Sequence, residues 1–396
     1  MIFFLKKNGE NYIGHDECDI FGRYMSVERI NIKPKMLRWA IQRAGFSEED
    51  AIGAFPLLCG WLSSQHQPTL NQLKKFAVKF YVPLGYLFLE QTPTESIPFP
   101  MFRGDAGQSN HFDLNVYDTV MSVQARQEWL EEYLEENEIK TCDFIGSIDI
   151  TTSIFETVEK LRAILNLDSR WAFSLATSDA AVSFLGQKIE EAGIFLSYNG
   201  VVGNNTHRRL SVSECRGFAL VNEKAPYIFI NSADSKSAQL FTLIHEMTHI
   251  MLGISAGHAG SESFYNERNE KYCDMVAAEF LVPMSVLREI WNNDIKYVSR
   301  RFKTSELVIA RRAHDIGIIT DEKYKDFWLE YSQRPKRTDK SKSGGSFYLT
   351  SVRRVGRNFA IHVRNAVNSK QLSYTEAYRL TGLYGKTYDN FMSNNI

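Results

Sequence analysis

An α+β fold in several parts is predicted for this chain. Three observations carry the prediction. Residues 31–90 read as a run of short, well-capped helices. Residues 193–253 hold short β-prone runs that lead into one strongly apolar helix. After Trp291 the pattern is helical again, interrupted by a basic stretch from Arg334 to Ser346. At 396 residues the chain is too long for one small core, so several domains are expected. The division read from it is an N-terminal extension over 1–25, a five-helix domain over 26–90 and a linker over 91–115. A core of a small sheet and helices follows over 116–330, then a basic flexible linker over 331–346 and a small helical region over 347–396.

In the first domain, Pro34 to Ala44 forms a helix that stops at Gly45, because proline suits a first turn and glycine a helix end. Ser47 caps a second helix, and Glu48, Glu49 and Asp50 stand where the helix dipole favours negative charge. Pro56 to Ser63 makes a third, Leu70 to Tyr81 a fourth, and Pro83 to Leu89 a fifth. Pro93, Ser96, Pro98, Pro100 and Gly104 then break regular structure. Val116 to Glu138 reads as a long amphipathic helix whose Glu131, Glu132, Glu135, Glu136 and Glu138 form a solvated face. Thr152 to Leu165 and Asp179 to Ala192 are further helices, and strands begin at Gly193. Asn199 to Arg209 is a polar, glycine-rich loop with His207 exposed. Tyr227 to Ile230 is a strand entering the apolar helix, and Phe218 to Val221 is a candidate edge strand for pairing with an extended peptide. Ser299 to Gly317 forms a helical pair, and Tyr348 to Phe391 holds two or three short helices with Arg353, Arg354, Arg357 and Arg364 close together.

The apolar helix reads AQLFTLIHEMTHIMLG from Ala238 to Gly253. A helix turns once in ~3.6 residues, so His245 and His249 stand one above the other on one face. Such a pair can grip one divalent metal, and Glu246 can take a proton from a water that the metal activates. The competing reading is an ordinary packed helix, but an unpaired Glu246 among apolar neighbours would then be costly. A third ligand has to come from elsewhere, leaving one position open. Downstream, helical spacing puts Glu270 and Asp274 one turn apart on one face, so that Glu270 can ligate while Asp274 holds a histidine N–H. Glu262 and Glu267 compete for the ligand role. Tyr265 and His258 are candidates for contacting the oxyanion or the substrate. Cys273 lies three residues from Glu270, where oxidation of its thiol could perturb the metal.

HEMTHIMLG followed by E-x-x-C-D-x-x-A-A-E-F-L-V-P resembles the ImmA/IrrE family of bacterial metallopeptidases. The resemblance implies a zincin-like core in which His245, His249 and Glu270 are the zinc ligands and Glu246 the general base. Cys273 and Asp274 stand where the family usually has Ala-Asn or Ala-Asp. Arg216 to Leu220 and Pro226 to Asn231 resemble the strands before its active-site helix, and Ile97 to Arg103 resembles its I-P-D-F-R junction. The five N-terminal helices, with Trp61 and the apolar pattern from Gln67 to Pro83, resemble an XRE-type helix-turn-helix domain. DNA binding by that domain is open, because a recognition helix needs polar and basic side chains and Pro56 to Ser63 offers almost none. Lys33, Lys35, Arg38, Arg43, Lys74, Lys75 and Lys79 give it a modest basic excess. An exposed apolar third helix would instead suit a protein partner.

A net charge of -1 gives no global pull toward nucleic acid or membrane. The 5 cysteines are scattered with no CxxC, which argues for a reducing compartment and against a disulfide framework. No segment approaches the roughly 20 apolar residues that span a bilayer, and MIFFLKK has the reverse charge order of a secretory signal. A cytoplasmic zinc endopeptidase acting on a protein substrate, such as an XRE-type repressor, is the expectation that the resemblance favours. The alternative is a DNA-binding regulator or sensor whose metal domain binds a partner without cleaving it.

Overall fold

Contacts divide the chain into two compact units, Met1–Glu95 and Ser96–Ile396. The computed structural model describes residues 28–97, 113–140, 142–257, 264–334, 347–394 and 396. The expected extension over 1–25 and most of both linkers lie outside the described residues.

The first unit contains α1 (Pro34–Arg43), α2 (Glu48–Ala54), α3 (Leu58–Leu62) and α4 (Leu70–Lys79). Ser47 caps α2 by accepting from the Asp50 N–H at 3.1 Å. Thr69 and Gln72 form a reciprocal capping box at the start of α4. Pro83 to Leu89, expected as a fifth α-helix, is a 3-10 helix over Leu84–Phe88. Phe46, Phe55, Trp61, Phe76 and Phe80 pack ring against ring in the middle of the unit. In that packing Leu58, Trp61 and Leu62 of α3 are buried, while the preceding Leu57 is exposed. The exposed positions of that helix are Cys59 and the preceding Pro56 and Leu57, none of them a cation. Part of the basic excess is engaged, since Lys33 pairs with Glu90, Arg38 with Glu48 and Arg43 with Glu95.

The second unit opens with α5 (Leu114–Glu136), α6 (Ile154–Leu165) and α7 (Ser178–Glu191). The strands β1 (Phe195–Asn199), β2 (Val201–Val202), β3 (Asn205–Arg209), β4 (Gly217–Leu220) and β5 (Tyr227–Asn231) follow, then α8 (Lys236–Leu252) and β6 (Ala256–Gly257). Helices α9 (Phe264–Leu281), α10 (Met284–Ile290), α11 (Ile295–Phe302), α12 (Glu306–Asp315) and α13 (Asp321–Gln333) come next. The chain ends in α14 (Phe347–Val355), α15 (Arg357–Asn368), α16 (Tyr374–Thr381) and α17 (Lys386–Asn394). The expected loop from Asn199 to Arg209 is instead a hairpin, with Val201 opposite Arg209 and Val202 opposite Asn205. His207 is exposed on it.

The main sheet has the order β1-β5-β4-β6. β1 runs parallel to β5 with Phe195 opposite Tyr227, and β4 is antiparallel to β5 with Gly217 opposite Ile230. Phe218 and Ala219 also pair with Gly257 and Ala256 of β6. β4 is therefore an interior strand, which corrects its expected role as an exposed edge. Successive strand residues point to opposite faces of a sheet. Leu196, Tyr198, Ala219, Ile228 and Ile230 join one core with α6 to α12. Phe195, Phe218, Leu220, Tyr227 and Phe229 join another with α5 and the C-terminal helices. Both faces are covered, and so every residue of β1, β4 and β5 is buried.

The C-terminal segment, expected as two or three short helices, is four helices that cover the second face of the sheet. Arg126 of α5 donates to the Leu380 carbonyl at 2.9 Å and the Arg354 carbonyl at 3.1 Å. Arg353 pairs with Asp179, and Arg354 donates to Asn204 Oδ1, so both anchor helices rather than forming an open basic patch. Gly356 has φ 88, and a Cβ there would stand 2.5 Å from the Leu196 carbonyl oxygen. Only glycine lets this corner approach β1 so closely.

Glu190 joins α7 to this corner by accepting from the Asn358 N–H at 3.2 Å. Burial raises its pKa from 4.5 to about 7, against the hydrogen bonds from Asn358 and Arg357. A carboxyl whose folded pKa is raised binds its proton more tightly when folded, so stability falls as pH rises from about 4.5 to about 7. At ~1.4 kcal/mol per pH unit, this group alone contributes a fall of roughly 3 kcal/mol. Thermal unfolding across that window is expected to show the fall in wild type and a much smaller one in Glu190→Gln. Parallel curves for the two proteins would contradict it.

Candidate metal centre

α8 starts at Ser235, whose hydroxyl accepts from the Ala238 N–H at 3.3 Å, and ends at Gly253 in the left-handed conformation. From Leu240 onward nearly every residue except Phe241 is buried, as befits a helix enclosed by sheet and helices. It packs against β4, β5, α7 and α9. The approach to β4 is close: a Cβ on Gly217 would stand 2.6 Å from Thr242 Cγ2. The helix is therefore held in register against the sheet, and with it the two histidines.

His245 and His249 bring their Nε2 atoms to 3.1 Å from one another. Glu270 of α9 reaches in with Oε2 at 3.1 Å from His245 Nε2 and Oε1 at 3.0 Å from His249 Nε2. Among the three competing carboxylates, Glu262 lies outside the described residues, as does the side chain of Glu267. Asp274, one helical turn after Glu270, places Oδ1 3.0 Å from His245 Nδ1. It can thus fix which ring nitrogen of His245 carries the proton and turn the other inward. Burial disfavours a charged His245, but the hydrogen bonds to Asp274 and Glu270 outweigh it and hold its pKa at about 10.

The two histidine Nε2 atoms stand 3.1 Å apart, and each has its own oxygen of the Glu270 carboxylate at 3.0–3.1 Å. Ligands bound at ~2.0–2.1 Å to one tetrahedral zinc stand about 3.3 Å apart, close to the spacing observed here. The donor set of two imidazoles and a carboxylate also suits that metal, with one position left over. Glu246 is 0% exposed, and neither of its carboxylate oxygens has a hydrogen-bond partner among the described residues. Burial pushes its pKa up to about 8, with the Glu270 charge adding to the rise and His245 opposing it. A buried carboxylate without partners is destabilising, so it marks a place where a proton or a cation belongs.

Cys273, three residues after Glu270, comes close to this centre. Its sulfur and one ring nitrogen from each of His245 and His249 lie within 4.8 Å of one another. The signal in the sequence was its position one turn after Glu270. Burial, reinforced by the charges of Glu270, Glu246 and Asp274, holds the thiol well above its usual range. His258 lies outside the described residues. Tyr265 belongs to the first turn of α9, with its side chain outside the description. Among the described residues the cysteines Cys59, Cys142, Cys215 and Cys273 form no disulfide, and no helix is long and apolar enough to cross a membrane.

Residues 189–314 match the family model for the IrrE N-terminal-like domain, a peptidase family. This supports a metallopeptidase of the ImmA/IrrE type. The matched stretch runs from the end of α7 to α12 and contains His245, Glu246, His249, Glu270, Cys273 and Asp274. A second model, described only as a domain of unknown function, matches residues 355–394, which is α15 to α17. No curated protein matches the chain.

Proposed function

We propose that this chain is a cytoplasmic zinc-dependent endopeptidase that hydrolyses a peptide bond in a regulatory protein partner, an XRE-type repressor or antitoxin, and so controls transcription. The observation that carries the reading is the convergence of His245, His249 and Glu270 with the unpartnered carboxylate of Glu246 beside it. A zinc ion held by those three residues would supply Lewis acidity to the attacking water and to the scissile carbonyl. Glu246 takes the proton from that water as it attacks, and returns it to the leaving amine. Its burial serves both steps, because a carboxylate poorly solvated by its surroundings is a stronger base than one in water. Asp274 keeps the His245 ring oriented through its Nδ1. We assign partner recognition, rather than base reading, to the first unit, since α3 presents no cationic side chain to a groove.

The test uses the purified full-length chain with zinc and, as substrate, any small XRE-type repressor found encoded by a neighbouring gene. Wild type is expected to cut the repressor into discrete fragments, and a chelator to stop the reaction. A repressor that is bound yet stays intact would make the chain a non-cleaving regulator and overturn the reading.

A further inference from the structure

The mechanism above gives the thiol of Cys273 no work, although the fold brings it to the same place as the candidate ligands. Cys273 follows Glu270 by one turn on α9 and is 0% exposed. Buried cysteines commonly serve as small apolar residues. Cys215 does so here, as a member of the core between the sheet and the C-terminal helices. Cys273 belongs to neither apolar cluster of the unit, although its neighbours Tyr272, Val276 and Ala277 do. Its surroundings are instead ionisable: Glu270, Glu246 and Asp274 all act on it electrostatically. The carboxylates of Glu246 and Glu270, two imidazoles and a thiol are gathered there, and the buried Glu246 carboxylate has no hydrogen-bond partner among the described residues. A concentration of negative charge and lone pairs of this kind calls for a cation.

Distance permits the thiol to take part. A nitrogen and a sulfur bound to one tetrahedral zinc at ~2.0–2.1 and ~2.3 Å stand about 3.6 Å apart. The Cys273 sulfur and the two ring nitrogens already lie within 4.8 Å of one another. No Glu270 oxygen belongs to that close set, so sharing one metal with Glu270 requires the sulfur to move toward it on metal binding.

We propose that Cys273 is a fourth metal donor, which closes the site in the resting chain together with His245, His249 and Glu270. The proposal rests on the reading that those three residues hold zinc. Four protein ligands are the mark of a closed, structural site, whereas a catalytic one keeps a position for water. Closing forms the sulfur–metal bond, releases the thiol proton to solvent and expels one water. Opening reverses each change, with no oxidation or reduction. The chain is thus latent while sulfur is bound and competent once it leaves.

X-ray absorption at the zinc edge of the full-length, zinc-loaded protein tests this without relying on activity. Wild type is expected to show one sulfur scatterer at about 2.3 Å. The scatterer should vanish in Cys273→Ala and persist in Cys215→Ala. Cobalt-loaded wild type should likewise show a near-ultraviolet sulfur-to-cobalt charge-transfer band that Cys273→Ala lacks. Zinc surrounded only by nitrogen and oxygen in wild type would overturn the fourth donor and leave the three-ligand reading standing. Failure of wild type to take up zinc would overturn both. A sulfur signal that survives in Cys273→Ala would assign it to another residue.

Discussion

Glu246→Gln is expected to slow cleavage of the partner by roughly 10²- to 10⁴-fold, the usual worth of a positioned general base. The substitution keeps the shape of the side chain and removes its capacity to accept a proton. The effect should fall on turnover and leave zinc content unchanged, because Glu246 is not among the three donors that converge. Stability should hold or rise, since the variant no longer buries a carboxylate that lacks partners. Fragment formation over time, measured beside metal content and the unfolding midpoint, separates these effects. Unchanged turnover in Glu246→Gln would remove this residue from the chemistry.

The second large effect is expected from the metal itself. Removing zinc should stop cleavage, lower the unfolding midpoint, and be reversed by adding zinc back. A ligand at 100 times its dissociation constant stabilises the folded state by about 2.7 kcal/mol, so the shift should be easily measured. His249→Ala and Glu270→Ala each delete one of the converging donors, and should sharply reduce the zinc-dependent shift and abolish the cleavage. Asp274→Ala is a subtler case. Its Oδ1 meets His245 Nδ1 and not the inward face of the site, so loss of this support should weaken zinc binding by ~10- to 100-fold without abolishing it. Equal zinc affinity in Asp274→Ala and wild type would contradict that orienting role.

The placing of Glu270 and Asp274 was legible because helical periodicity is local: residues four apart share a face whatever the rest of the chain does. The cap at Ser47 was readable for the same reason, whereas the cap at Ser235 was not read. Other features depend on contacts distant in sequence. Arg126 meets Leu380 and Arg354 across more than two hundred residues, and nothing in Tyr348 to Phe391 taken alone says that it covers a sheet. β6 is two residues long, too short to read as a strand, yet its pairing makes β4 interior. The β2–β3 hairpin was obscured by polar residues, since it lies outside the buried sheet and shows no apolar alternation. The spacing of Cys273 from Glu270 was visible, but its approach to the two histidines arises from how α9 packs on α8.

Native mass spectrometry of the full-length chain purified with zinc tests the central claim most directly. One zinc is expected on wild type, matching a single site of converging donors, and a much weaker hold on zinc in His249→Ala and Glu270→Ala. A folded wild type that takes up no zinc would contradict the account, and so would a Glu270→Ala variant that retains it as tightly.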